Sequence, residues 1–146
     1  MDYTITKEEY IISTDKNKID VDYVHDFLSH SYWTPGISIE KVKMGIEGAL
    51  CFGIYNKEQQ IGFARMITDQ ASFAYLCDVF IDEKYQRKGL GKWFMAMILE
   101  HPGIKEPRRI LLATKDAHKL YEKVGFVPLN NPDRYMVYDP PKNKSK

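Results

Sequence analysis

The residues Gln86-Arg87-Lys88-Gly89-Leu90-Gly91-Lys92 carry the sharpest chemical signal in this chain. They follow an apolar stretch and run straight into a segment with the spacing of an amphipathic helix. Free backbone N–H groups at a helix start, with the helix dipole behind them, bind anions. Glycine at 89 and 91 lets phosphate oxygens approach the main chain. Arg87, Lys88 and Lys92 place positive charge around the same point. A nucleotide P-loop requires Ser or Thr after its lysine, and Trp93 follows Lys92. A dinucleotide fingerprint needs a small residue three places after Gly91, and Phe94 stands there. Taken alone, the loop also reads as a solvated turn with incidental lysines.

Asp78 is the second residue with chemical content. It is the one charge in the apolar run Phe73 to Ile81, and a carboxylate there is costly unless it is paired or useful. Cys51 and Cys77 sit in apolar runs and read as small buried hydrophobes. They form no metal-ligand spacing or disulfide framework, and no adjacent histidine or cation lowers their pKa.

The elements that must position these groups follow from periodicity and breakers. Tyr10 to Ser13 reads as a first strand. Asp20 caps a helix with Val21, Val24 and Leu28 on one stripe, and Ser38 caps another with Ile39, Val42 and Ile46 facing inward. Pro35-Gly36 separates them. Leu50 to Tyr55 and Ile61 to Thr68 form a hairpin around the polar turn Asn56 to Gln60. Phe73 to Ile81, apolar on both faces, belongs inside a sheet. Gly89 opens a helix carrying Leu90, Trp93, Phe94, Met97 and Ile98, which Pro102 and Gly103 end. Arg109 to Thr114 is a strand. Asp116 caps a short helix with Ala117, Leu120, Tyr121 and Val124, stopped by a left-handed Gly125. Phe126 to Leu129 and Arg134 to Tyr138 are expected as closing strands. The order β-α-α-β-β-β-α-β-α-β-β is an α/β (α+β) arrangement in a single domain, residues 1–139, with a flexible C-terminal tail at 140–146.

The bulk numbers bound the function. With 146 residues, 44% hydrophobic and 28% charged, the chain suits one globular domain that needs no disulfide or metal. A net charge of +1 argues against a nucleic-acid module built on Arg87, Lys88, Lys92, Arg108 and Arg109. No apolar run approaches the roughly 20 residues that span a bilayer. The polar start, Met1 to Lys16, gives no sign of a signal peptide. The expected setting is a cytoplasmic protein without membrane or nucleic-acid partners.

The loop and its surroundings resemble the GNAT superfamily of N-acetyltransferases. The family pattern Gln/Arg-x-x-Gly-x-Gly/Ala is matched by Gln86, Gly89 and Gly91, and the preceding strand by Asp78-Val79-Phe80-Ile81. A later run, Leu120-Tyr121-Glu122-Lys123-Val124-Gly125-Phe126, is similar to the family's Leu-Tyr-x-x-x-Gly-Phe stretch. The similarity covers roughly residues 45 to 138.

The resemblance implies a central mixed, mostly antiparallel sheet of about six or seven strands, splayed between the fourth and fifth, with about four helices. It implies acetyl-CoA as acetyl donor and no metal. The amides from Arg87 to Lys92, including Leu90, would hold the pyrophosphate beside Gln86, and Val79, Phe80 and Ile81 the pantetheine arm. Tyr121 would be general acid for the leaving sulfur, or would merely pack. A backbone N–H near Val79 would take the oxyanion. Asp78 would be general base or would make a structural hydrogen bond. Asp69, Glu40, His25, His30, His118 or a water chain are the other routes for the proton. Tyr32, Trp33, Thr34 and Pro35, with Arg134 and Tyr135 opposite, would form the acceptor site, to which Asp78 also contributes. The acceptor would be a primary amine of a small molecule or peptide, attacking directly in a ternary complex. The protein would be a monomer or homodimer. The alternative is a non-catalytic sensor that binds acetyl-CoA or CoA, or a regulatory partner, of the same fold.

Overall fold

The computed structural model describes residues 2–141. A six-stranded sheet runs in sequential order: β1 Thr4–Lys7, β2 Tyr10–Ser13, β3 Leu50–Asn56, β4 Gln59–Thr68, β5 Ala74–Ile81 and β6 Ile110–Leu112. Neighbours pair antiparallel up to β5, and β6 joins β5 in parallel. The helices are α1 Val21–Ser29, α2 Ile39–Glu47, α3 Leu90–Leu99, α4 Pro102–Lys105 and α5 His118–Glu122. The fold is the mixed α/β arrangement expected from the sequence.

Local chemistry sets the helix starts. The Asp20 carboxylate accepts the Tyr23 amide, and the Ser38 hydroxyl accepts the Lys41 amide, each supplying an acceptor for an orphan donor. The helices cover opposite faces. Val24 and Leu28 of α1 and Val42 and Ile46 of α2 bury against Cys51, Phe63 and Phe80. On the other face Leu90, Phe94, Met95 and Ile98 of α3 pack on Phe52, Ile54, Ala64, Met66 and Leu76. Residues such as Cys51–Phe52 and Phe63–Ala64 alternate between the two clusters, so β3 and β4 are apolar on both sides and form the centre.

Two features of β5 set the geometry of the loop and clefts beside it. Its pairing with β4 shifts between Phe63↔Phe80 and Arg65↔Cys77, so Asp78 and Val79 oppose Ala64 alone. This is a β-bulge, with Asp78 left-handed at φ 56. The bulge exchanges faces: Ala74 and Leu76 point to the α3 side, but Phe80 points to the α1–α2 side. Also, β6 pairs only with Ala74, Tyr75 and Leu76. From Cys77 onward β5 has no β6 partner, which is the splay expected between the fourth and fifth strands once β1 is counted.

Four expectations are corrected. The charged lead-in contains a strand, β1, whose Ile5 and neighbouring Tyr3 pack on the α3-side core. Phe126 to Leu129 and Arg134 to Tyr138 form no strands. Pro128 interrupts the first, removing a ladder donor, and Arg109 holds Asn131 and the Tyr135 hydroxyl. The β6 strand ends at Leu112 rather than Thr114, because the Thr114 hydroxyl turns to accept the Ala117 amide at 3.0 Å. That turn, not Asp116, precedes α5, whose N-cap is Ala117 with no side-chain cap. Pro102 and Gly103 end α3 as expected but also begin α4. Of the tail expected at 140–146, residues 142–146 lie outside the described residues. Among the described residues, no helix is long and apolar enough to cross a membrane.

Candidate active site

The loop between β5 and α3 is built for close approach. Arg87 and Gly89 are both left-handed, at φ 66 and 77, and Gly89 is the N-cap of α3 with no side-chain cap bond. The first intrahelical bond is Trp93 N–H to the Gly89 carbonyl. The amides of Leu90, Gly91 and Lys92 therefore precede the helical ladder and are orphan donors. A Cβ on Gly91 would meet only Leu120 Cδ1, at 3.8 Å. Packing does not demand glycine there, and its bareness keeps the helix start open. Gln86 donates its side-chain amide to the Ile81 carbonyl at 2.9 Å, fastening the loop to the end of β5.

A cleft of about 660 Å³ runs from this loop along the splayed half of β5. Val79, Phe80, Ile81, Gln86, Arg87, Gly89, Gly91, Lys92 and Tyr121 line it. Two expected residues do not: the Leu90 side chain is buried in the core, and the Lys88 ammonium lies over the Tyr85 ring at 5.7 Å.

A second cleft, of about 440 Å³, lies between Tyr32, Trp33, Tyr75, Asp78 and the segment Leu112 to Ala117. The two clefts share Trp33, Val79, Asp116, Ala117 and Tyr121. Tyr121 thus stands where they join. Burial, and then the neighbouring Tyr32, push its phenol up to about 12, so it stays protonated at neutral pH. The ring packs edge-on against Phe126 at 5.8 Å.

The wall of the second cleft is braced. The Trp33 indole N–H donates to Asp78 Oδ1 at 2.9 Å. The Tyr32 hydroxyl accepts the Lys115 amide at 3.2 Å, and the Lys115 ammonium sits over the Tyr32 ring at 5.4 Å. This links the α1–α2 loop to the segment after β6. Asp78 is 8% exposed and its second oxygen pairs with Arg65 Nε at 2.9 Å.

Arg134 is not brought here. It is exposed, in a turn that lines neither cleft. His25 bonds the Ile37 carbonyl, and His30 bonds the Asp26 carbonyl. His118 lines a different hollow, beside β6. Asp69 caps its own turn: bonds from the Ser72 hydroxyl and the Ser72 and Ala71 amides hold its carboxyl well below the usual range. Glu40 lines neither cleft. Burial pushes the Cys51 and Cys77 thiols up to about 11, which keeps them protonated.

The sequence reading did not single out Arg65, Tyr75 or the cleft position of Asp116. Arg65 had a detectable signal: a lone positive charge in an otherwise uncharged strand, next to a strand with a lone negative one. Asp116 had none, since an aspartate before a short helix reads first as a cap.

The pattern of the acetyltransferase (GNAT) domain matches residues 47–128, which hold the bulged strand, the loop, α3 and Tyr121. The chain belongs to the GNAT acetyltransferase family. A candidate acetyltransferase of Gibberella zeae is 30% identical over 139 residues, covering 81% of this chain and 78% of its own. The crystal structure of a candidate GNAT-family acetyltransferase from Xanthomonas campestris superposes with a TM-score of 0.86 at 38% identity. That match covers 90% of this chain and 94% of the other. A Staphylococcus aureus structure shares the fold, with a TM-score of 0.68 at 24% identity over 96% of this chain and 99% of its own. GNAT proteins generally draw on acetyl-CoA. The orphan amides at α3, the bare Gly91, and Arg87 and Lys92 on one cleft suit its diphosphate. Among the described residues no cluster of His, Cys, Asp or Glu could hold a metal ion.

Proposed function

We propose that this GNAT protein is an N-acetyltransferase that moves the acetyl group of acetyl-CoA directly to a primary amine of a small molecule or peptide. One observation supports this reading above the rest: the clefts meet at Tyr121, so a donor in one and an acceptor in the other touch without an enzyme-bound acyl group. The protonated Cys51 and Cys77 thiols agree with that, because the thiolate is the nucleophile. Their free thiols, Cys51 buried and Cys77 partly so, suit a reducing cytoplasm.

Acetyl-CoA supplies an activated thioester, and the rest is the work of this chain. The Leu90, Gly91 and Lys92 amides, with Arg87 and Lys92, hold the diphosphate. Gln86 keeps the loop in register, and the unpaired edge of Val79, Phe80 and Ile81 offers backbone groups to the pantetheine arm. A preorganised N–H near Val79 faces the carbonyl oxygen as charge develops. Tyr121 donates a hydrogen bond to the sulfur. At a pKa of about 12 the phenol stabilises the departing charge rather than surrendering its proton fully to a thiolate near about 8.5. The amine's proton ends on the released thiol, and an amine arriving as ammonium loses one further proton to solvent.

Two aspartates border the acceptor cleft. Both Asp78 oxygens are engaged, by Arg65 and Trp33, which favours a structural role over proton transfer. Asp116 lines both clefts and is exposed. It is the better placed carboxylate to meet a cationic amine and pass its proton outward.

The test is incubation of pure protein with acetyl-CoA and a panel of primary amines. Thiol release is followed with a chromogenic reagent and product by mass spectrometry. Acetyl-CoA binding without thiol release across the panel would turn the reading to a sensor. Absence of calorimetric heat with both CoA and acetyl-CoA would remove it altogether.

A further inference from the structure

We propose that Arg65 is a positioning residue: through Asp78 it locks the Trp33 indole into the wall shared by the two clefts. The consequence for the acceptor rests on the acetyltransferase reading, but the lock on the indole does not.

Arg65 and Asp78 are opposite charges in adjacent strands that are otherwise uncharged. Neither tolerates burial alone. Arg65 Nε meets Asp78 Oδ2 at 2.9 Å, with the side chains 21% and 7% exposed. Asp78 Oδ1 accepts the Trp33 indole N–H, also at 2.9 Å. The carboxylate is thus held between β4 and the α1–α2 loop, with one oxygen on each.

The backbone is shaped for this contact. In a regular strand residue 78 would share the face of Ala74 and Leu76, on the α3 side. The bulge, with Asp78 at φ 56, turns it to the α1–α2 side, where Trp33 hangs. Aspartate tolerates the left-handed region better than most residues. On α2, Gly45 leaves the space that the guanidinium fills: a Cβ there would lie 3.2 Å from Arg65 Nη1 and 3.3 Å from Cζ. Elements distant in sequence therefore converge on one pair of hydrogen bonds.

Stability alone does not account for the arrangement. A buried ion pair is often no better for stability than apolar groups of the same volume. Trp33 is 38% exposed, so water could satisfy its N–H without a buried carboxylate. What the network adds is a fixed orientation for a large ring on the border of both clefts. With the ring fixed, the width of the junction beside Tyr121 is fixed too.

The decisive measurement uses nitrogen-15-labelled protein without ligand. Its two tryptophans, Trp33 and Trp93, give two indole N–H resonances, assigned with Trp93→Phe. In Arg65→Met the Trp33 indole proton should shift upfield and exchange with solvent about tenfold faster, as expected when a local hydrogen bond opens more often. Arg65→Lys, which keeps the charge but not the planar donor, should fall between. If Arg65→Met does not fold, Gly45→Ala, whose Cβ would lie 3.2 Å from Arg65 Nη1, presses on the guanidinium and is read in the same way. An unmoved Trp33 indole in any of these variants, with native sheet resonances retained, overturns the proposal. A second readout uses acetyl-CoA and the best amine of the panel. The amine KM should rise about fivefold or more in Arg65→Met while the acetyl-CoA KM stays within about twofold, as for lost substrate positioning. Equal changes in both overturn the positioning role. The indole signal needs neither cofactor nor turnover, so failure of the acetyltransferase reading leaves that arm decisive.

Discussion

Replacing Tyr121 with phenylalanine isolates one hydroxyl at the join of the two clefts. The ring would keep its edge-on contact with Phe126 at 5.8 Å. Among the described residues the hydroxyl makes no hydrogen bond, so no partner is orphaned, and stability should stay within about 0.5 kcal/mol. Turnover should respond far more. Loss of a donor aimed at developing charge costs about 100-fold in kcat, or about 2.7 kcal/mol of barrier. Affinity for CoA should hardly move, because the proposed diphosphate site, at Arg87, Gly91 and Lys92, is a different part of the cleft. The pH profile gives a second check. In the proposed role the protonated phenol is the active form, and burial raises its pKa to about 12, so the protonated window widens upward. At about pH 10 an ordinary phenol is half ionised, but one at about 12 is only about 1% ionised. This group should leave kcat flat up to about pH 10 and lower it only beyond. The assay is thiol release at saturating acetyl-CoA and amine, followed from neutral pH upward for wild type and Tyr121→Phe. Turnover of the variant within twofold of wild type would refute the role of Tyr121. A limb near pH 10 present only in wild type would refute the buried state of its phenol.

Further outcomes follow from the same geometry. Gly91→Leu should leave the melting temperature equal or higher, since a Cβ meets only Leu120 at 3.8 Å and leucine favours helix over glycine by about 0.8 kcal/mol. The same variant should bind CoA at least about tenfold more weakly by calorimetry, through steric closure of the helix start. Phe80→Ala removes a ring stacked on Phe27 at 3.8 Å between centroids; urea unfolding should show a loss of about 3–5 kcal/mol. Gly62→Ala puts a Cβ 2.6 Å from the Phe80 carbonyl and 2.7 Å from Ile54 Cγ2, and should cost about 1–3 kcal/mol in the same assay. Cys51→Ala and Cys77→Ala should retain turnover, and alkylation of the native thiols should be slow at neutral pH because both are pushed up to about 11; a dead cysteine variant that still binds acetyl-CoA would contradict direct transfer.

The sequence by itself determined whatever depends on a residue and its chain neighbours. Asp20 and Ser38 announce helix starts because their side chains reach amides three residues on. Gly89 announces the turn into α3 because few other residues would sit at φ 77 without strain. The stripe Leu90, Phe94 and Ile98 fixes the buried face of α3. From these, the loop, the helix that carries it and the position of Tyr121 were legible.

Tertiary structure alone decided what depends on register between strands. The strand pattern from Phe73 to Ile81 gives no sign that Asp78 opens a bulge. The bulge exists because β4 and β5 fall out of step around Ala64, and it is what turns the carboxylate toward Arg65 and Trp33. The expected strands at 126–129 and 134–138 were β-prone yet stayed irregular, with Met136 98% and Val137 81% exposed. Strand propensity becomes a strand only where an edge offers matching donors and acceptors, and β6 presents just Ile110–Leu112. The joining of two clefts at Tyr121 is likewise a property of β5 and β6 parting after Leu76. Periodicity reports which face a residue turns to the core; it does not report which distant strand waits there.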